Sequence, residues 1–260
     1  MELNEIISDS NRLSLVAMGD AHIGSLNSDL DCFLGALKYA KEKRSVVLLM
    51  GDLVDALSAT DPRWDPMNVD RKVMTIGEQM QYLEANLERL GGGRIIGAIM
   101  GNHYHKYAVR AMTNEKAAMC KRLGCAYLGY RADITLRLNG IPYVISAWHG
   151  NGGGYEPGSV INRMVKEPRK FIADVYLMGH SHRLMAFNTS QLMLEGGELK
   201  AKYPLFVNTG SFLRTYAERT SGYGEQKGYD PLPIGFSEII FENGKLPRCI
   251  DHIMECGALL

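Results

Sequence analysis

Five short apolar runs in this chain each stop at a small residue followed by a polar one, and this recurrence limits the folds open to it. The run Arg12 to Met18 ends in Gly19-Asp20-Ala21-His22. Ser45 to Met50 leads into Gly51-Asp52, with Asp55 three residues on, and Arg94 to Met100 leads into Gly101-Asn102-His103. Later, "PYVISAW" gives way to His149-Gly150, and "DVYLM" to Gly179-His180-Ser181-His182. Short β-rich apolar runs bounded by turn residues read as buried strands. In an α/β sheet, the carboxyl ends of such strands form the rim where ligands bind.

Helical signals separate the early strands. Ser28 and Asp29 can cap a helix carried by Leu30, Phe33, Leu34, Leu37 and Tyr39. A second amphipathic helix places Met80, Leu83, Leu87 and Leu90 on one face, and Gly91 to Gly93 end it. The second half is richer in strand, with "DITLRL", "LFVNTG" and "FSEIIFE" in addition; Asn139-Gly140 predicts a hairpin. Early β-α-β units followed by many short strands imply two sheets packed face to face with helices outside. At 260 residues and 46% hydrophobic, with no linker or repeat, the chain is expected to form a single domain over 1–260.

Composition excludes several classes. The 29 basic and 29 acidic side chains cancel, which gives no general electrostatic footprint for nucleic acid or membrane and leaves only a local basic patch open. The start, "MELNEIISDSNR", lacks a signal peptide's basic flank and apolar core, and no apolar run reaches bilayer length. A cytoplasmic chain with no membrane partner is the expectation. The cysteines (Cys32, Cys120, Cys125, Cys249, Cys256) are odd in number and show no CxxC spacing, so reduced thiols are expected rather than a zinc finger or disulfide framework.

The strand ends carry the chemistry. Taken singly, each motif is ordinary: Gly-Asp turns are common, and Asn-His and His-Gly pairs form turns. Together they gather Asp, Asn and His side chains suited to two divalent ions, with a carboxylate able to bridge them. Two ions about 3.5–4 Å apart can activate water and clamp both the attacked and the leaving oxygens of a phosphate. His180 and His182 lie at i and i+2, so in extended chain they project to one side and can reach neighbouring metals. Nitrogen and oxygen ligands without thiolate favour Mn, with Fe, Zn or Ni as alternatives.

The ordered set D-x-H, G-D-x-x-D, G-N-H, H-G and G-H-x-H, from Asp20 to His182, resembles the calcineurin-like metallophosphoesterases. Asn208 to Ser211 ("NTGS") resembles the same family's later strand end. The resemblance implies an α/β (α+β) fold, a four-layer αββα sandwich of two mixed β-sheets flanked by helices, around a dinuclear site. It assigns one metal to Asp20, His22, Asp52 and His182, and the other to Asp52, Asn102, His149 and His180, with Asp52 as bridge. It makes His103 the leaving-group acid or transition-state stabiliser, oriented by Asp55, while a metal-bridging hydroxide attacks phosphorus. Tyr104 stands where many relatives carry an acidic residue, and Ala56-Leu57 stand where protein phosphatases have Arg-Gly. These departures point to the branch of nucleases, phosphodiesterases and small phosphatases; Gln79 and "HGNGGG" also resemble phosphoesterases of phages and prophages.

Three segments are expected to shape specificity: 57–71, with Trp64; 150–159, rich in glycine; and 213–230, with Arg214, Tyr216, Arg219, Tyr223 and Tyr229. Cationic and aromatic side chains there suit a phosphate-ester substrate, a nucleotide or nucleic acid among them. His105 and His252 match no motif and are expected to be structural or surface residues. The expected function is a dinuclear metal-dependent phosphodiesterase or nuclease. The alternatives are a phosphomonoesterase acting on a small molecule or phosphoprotein, and a non-catalytic binding module, which predicts missing ligands.

Overall fold

The computed structural model describes residues 4–254, apart from 60, 62, 92, 155 and 219. The first half alternates strand and helix: β1 (Asn4–Ser8), β2 (Arg12–Met18), α1 (Leu30–Glu42), β3 (Val46–Leu49), α2 (Ile76–Glu88) and β4 (Ile95–Ala98). Then come α3 (Asn102–Arg110), α4 (Glu115–Leu123), β5 (Ala126–Tyr127), β6 (Arg131–Leu138), β7 (Ile141–Trp148), α5 (Pro157–Met164) and β8 (Val175–Met178). The remainder is β9 (Leu184–Asn188), β10 (Gln191–Glu195), β11 (Glu198–Lys202), β12 (Leu205–Thr209), the short α6 (Tyr223–Gln226), β13 (Gly235–Glu242) and β14 (Arg248–Ile253).

Local chemistry sets the boundaries. The Asp29 side chain accepts from Cys32 N at the start of α1, as the sequence suggested. Thr75 and Glu78 form a reciprocal capping box on α2. Asn139 and Gly140 both have positive φ (47° and 86°) in the two-residue turn joining β6 to β7, where Leu138 pairs Ile141. The predicted glycine stop after α2 holds in place, although Gly92 lies outside the described residues.

Two mixed sheets result. One has the order β14-β13-β2-β3-β4-β5, with β2 to β5 parallel; the other has the order β1-β6-β7-β8-β12-β9. A separate hairpin pairs β10 with β11. Side chains alternate along each strand. Leu15, Ala17, Leu48 and Ile239 therefore meet Ile134, Ile145, Leu177 and Val207 between the sheets. The alternate residues Val16, Met18, Val47 and Leu49 pack under α1, α2 and α4. On the other side, Tyr176, Met178 and Phe206 pack against Val160 and Met164 of α5. This is the expected sandwich of two sheets flanked by helices. No helix among the described residues is long and apolar enough to cross a membrane. Cys32, Cys120, Cys125 and Cys249 are free thiols, and Cys256 lies outside the described residues.

The packing brings the carboxyl ends of β2, β3 and β4 to those of β7 and β8. Asp20 N donates to Gly51 O (2.9 Å), and Gly179 N donates to His149 O (3.0 Å). The end of β12 completes the rim, since Phe212 N (3.1 Å) and Ser211 Oγ (2.9 Å) both donate to Asp20 O.

Candidate functional site

Backbone geometry at the strand ends is unusual. Asp20, His22, Asp52, His180 and His182 all take positive φ (51°, 48°, 41°, 68° and 58°). Non-glycine residues adopt this region at a cost, and such strain clusters at functional sites. The consequence is a sharp redirection of successive side chains. His180 and His182 are thus not in extended chain, as the i, i+2 spacing suggested. Left-handed turns after β8 aim them at two different groups of side chains.

Three groups of side chains converge at the rim, and Asp52 belongs to two of them. Asp20, His22 and His182 offer ligand atoms lying within 4.8 Å of one another, and so do Asp52, His149 and His180; Asp52 also groups with His22 and His103. In the first group His22 Nε2 and His182 Nε2 are 3.3 Å apart, and Asp20 Oδ1 lies 3.9 and 3.4 Å from them. In the second, His149 Nε2 lies 3.1 Å from both Asp52 Oδ2 and Asn102 Oδ1. All seven residues singled out as metal ligands therefore meet at one rim.

Hydrogen bonds fix which ring nitrogen three of the four histidines, His22, His149 and His180, offer. Oxygen acceptors can only accept, so His22 Nδ1 donates to Asp55 Oδ1 (3.1 Å) and His149 Nδ1 donates to Met50 O (2.8 Å). Both Nε2 atoms are left facing the carboxylates. Likewise His180 Nε2 donates to Gly152 O (3.1 Å), leaving Nδ1 as its ligand atom. Asp20 is fully buried; its Oδ2 accepts from His180 N (3.0 Å), while Oδ1 has no hydrogen-bond partner among the described residues. An orphaned buried carboxylate oxygen beside two imidazoles is the environment a cation satisfies. The donor set thus fits divalent ions.

Electrostatics agree. Burial pushes the Asp52 carboxyl up, but His149 and His103 beside it hold it well below the usual range. Burial likewise opposes Asp55, which the His103 and His22 hydrogen bonds bring down to about 2. His149 is pushed up to about 9 by Asp52 and Asp20 against the effect of burial. Burial outweighs the Asp55 bond at His22 and lowers it.

Glycines permit the close approach. A Cβ on Gly101 would lie 2.1 Å from both Asp52 N and Asp52 Oδ1. Gly51 needs φ +96°, and a Cβ there would lie 2.5 Å from His149 Nδ1.

His103 sits edge-on to His22, with ring centroids 4.6 Å apart. Its Nδ1 donates to Asp55 O (2.8 Å) and lies 3.4 Å from Asp55 Oδ1, so the Asp55 carboxylate is nearer His22 than His103. Asp55 therefore holds both rings. Tyr104 points away into the core, where its hydroxyl accepts from Lys116 N (3.2 Å). Gln79 is buried and structural: its Oε1 accepts from Ala56 N (3.0 Å) and pins the loop after β3. His105 bonds the Tyr130 hydroxyl (2.7 Å) and His252 bonds Glu238 (3.0 Å), both away from the rim.

All three predicted specificity segments line one cleft of about 320 Å³ over the rim. They supply Arg63, Asn68, Gly152–Gly154, Arg214, Tyr223 and Tyr229. Neither Trp64 nor Tyr216 lines it, and Arg219 lies outside the described residues. Sequence reasoning missed Arg63, Arg163 and Arg183. Arg63 Nη1 donates to His103 Nε2 (2.6 Å), and Arg163 donates to the carbonyls of Asn151, Gly152 and Gly154 (2.8, 3.1 and 2.7 Å). None of the three belongs to a motif, and no local pattern marks a contact such as that of Arg63 with His103, forty residues apart.

No family model and no curated protein matches the chain. Among solved structures it is similar to a conserved predicted phosphoesterase of Streptococcus pneumoniae, at 14% identity over 93% of this chain and 98% of that one, with a TM-score of 0.39. It is similar to a single-substitution variant of Vps29 from Entamoeba histolytica, at 15% identity over 94% and 100% of the two chains, TM-score 0.43. Wild-type Vps29 in complex with zinc is also similar, at 15% identity over 93% and 99%, TM-score 0.34. Likenesses of this size say nothing of what this chain does.

Proposed function

We propose that this chain is a metal-dependent phosphoesterase of the calcineurin-like superfamily, a single domain over 1–260, acting as a phosphodiesterase or nuclease. One observation carries the reading: ligand atoms of Asp20, His22 and His182 converge at the same rim as those of Asp52, His149 and His180, and Asp52 also groups with His22 and His103. Asp20, His22 and His182 would hold one divalent ion, Asn102, His149 and His180 the other, with Asp52 available to both. Mn is the proposed ion for both. When bound, such a pair lowers the pKa of water and neutralises charge on a phosphate.

The chain's own residues do the rest. Asp55 and the Met50 carbonyl fix the imidazoles of His22 and His149, so their Nε2 atoms already face the site. His103 stands among the residues lining the cleft, with Nδ1 donating to Asp55 O (2.8 Å), and belongs to the group of side chains on the leaving-group side of the site. The arginines and the glycine-rich 152–154 backbone give the cleft donors for phosphate oxygens, and Tyr223 and Tyr229 give faces on which a base can stack.

A phosphomonoesterase is the second reading. A cleft of about 320 Å³ is the size of a small-molecule site, which favours a substrate no larger than a nucleotide. A purely binding role calls for lost ligands, and every ligand position is filled. The test compares Mn²⁺-dependent hydrolysis of bis-(p-nitrophenyl) phosphate and p-nitrophenyl phosphate, with Asp52→Asn as the blank. Preference for the diester supports the first reading and preference for the monoester the second. Activity on neither with Mn, Fe, Zn or Ni refutes both.

A further inference from the structure

The geometry points to Arg63 as the donor that meets the substrate's departing oxygen, a catalytic role that rests on the phosphoesterase reading above. Arg63 lies between β3 and α2, outside every motif that the sequence singles out. Asp61, itself buried, clamps it side-on: Nε donates to Oδ1 and Nη2 to Oδ2, each at 2.9 Å. Nη1 donates to His103 Nε2 at 2.6 Å. That uses three of the five guanidinium N–H groups. The other two, one on Nη1 and one on Nη2, have no partner among the described residues and belong to an arginine that lines the cleft.

The contact with His103 decides which group faces the substrate. A guanidinium only donates, so His103 Nε2 accepts from it, and Nδ1 donates to Asp55 O (2.8 Å). The His103 nitrogen on the cleft side is thus covered by Arg63. The imidazole acts as a strut that, with Asp61, holds the guanidinium in a single pose. Its planar fork is prearranged and loses little freedom on meeting an oxyanion.

In the hydrolysis, the P–O bond to the leaving group breaks and its electron pair goes to the departing oxygen. Water supplies the new oxygen on phosphorus and, from solvent, the proton that the leaving group finally takes. Arg63 gives up no proton. It stabilises the negative charge on the departing oxygen while that charge develops. Its contribution therefore grows as the leaving group becomes more basic.

The experiment measures kcat/KM against leaving-group pKa for a series of aryl phosphate esters, in whichever ester class the wild type turns over. It compares wild type, Arg63→Lys and Arg63→Gln, and Mn²⁺ binding to each is measured by calorimetry. Arg63→Gln should lose about 10²-fold on phenyl esters, the scale seen for removing one transition-state donor, and at least several-fold less on p-nitrophenyl esters. Arg63→Lys should recover part of the charge effect, and Mn²⁺ affinity should be unchanged in both variants. An equal loss across the series, a loss of Mn²⁺ binding, or no loss at all overturns the role of Arg63 while leaving the phosphoesterase reading intact. A wild type that binds Mn²⁺ but turns over no ester refutes that reading, and the inference with it.

Discussion

A single methyl group at Gly101 should disable the site. The Cβ of Gly101→Ala would lie 2.1 Å from Asp52 N and Oδ1 and 2.8 Å from Asp52 Cγ. Ordinary contact begins near 3.4 Å, so the Asp52 loop must retreat by roughly 1.3 Å. Asp52 has no slack, because its Oδ1 accepts from His103 N at 2.9 Å and its Oδ2 lies 3.1 Å from His149 Nε2. Metal–ligand distances tolerate about 0.2 Å, so this displacement would take Asp52 out of the proposed site. Overpacking alone costs about 1–3 kcal/mol, a melting-point loss of roughly 5 °C for a chain of this length. In the wild type, saturation at about 100 times the Kd should add about 2.7 kcal/mol per ion, a rise on the order of 10 °C for two. Thermal unfolding with and without Mn²⁺ reads both effects. Gly101→Ala should unfold cooperatively, melt somewhat lower, and show no Mn²⁺-induced rise. Gly77→Ala, where the nearest atom to a new Cβ is 3.9 Å away on α2, should keep the full rise and serves as control. A folded Gly101→Ala protein that gains as much from Mn²⁺ as wild type refutes the reasoning.

Two further outcomes follow from charges inside the fold. With His149 raised to about 9, its ring is protonated at pH 7 in metal-free protein, so a metal ion must displace that proton. Apparent Mn²⁺ affinity should therefore improve as pH rises from 7 and level off near 9, with proton release visible by calorimetry in buffers of different ionisation enthalpy; a flat profile contradicts the assignment of His149. Buried Lys116 donates to Ile99 O (2.6 Å), and burial lowers it from 10.5 to about 8. Between those values the unfolded chain binds the proton and the folded one does not, so stability rises with pH by about 3 kcal/mol in all. Chemical denaturation at pH 7.5 and pH 10 should show this rise in wild type and not in Lys116→Met; parallel pH dependence in the two proteins contradicts it.

The convergence of these seven side chains at one rim is legible in the sequence because its signal is local. Each apolar run needs only a few residues to declare itself a buried strand, and the small residue after it is required by a contact as tight as that of Gly101 on Asp52. The two-sheet core was legible for a similar reason, since strand alternation is written into sequences such as "RADITLRL". Other features depend on partners far along the chain. β1 pairs with β6 across the register Asn4↔Ile134, and five residues of weak alternation do not announce it. In α3, "NHYHKYAVR" looks like a polar loop because its first residues serve the site rather than the core. The hairpin of β10 and β11 leaves Leu192, Leu194 and Leu199 exposed, so no burial pattern separated it from loop. The turns at His180 and His182 read as extended chain in the sequence, because positive φ on histidine carries no sequence signature. Arg63 is hidden for the same reason as β1: its pose comes from Asp61 beside it and from His103, forty residues along the chain.

The central claim is that one carboxylate, Asp52, is shared by two divalent ions, and electron paramagnetic resonance of Mn²⁺-loaded protein tests it most directly. Ions bridged by Asp52 at about 3.5–4 Å should be exchange-coupled, so protein loaded with two Mn²⁺ per chain should give the spectrum of a spin-coupled pair. Asp52→Asn should lose that spectrum. The pattern of isolated Mn²⁺ at full loading, or saturation at one ion per chain, would contradict a shared ligand at Asp52 and the dinuclear site built on it.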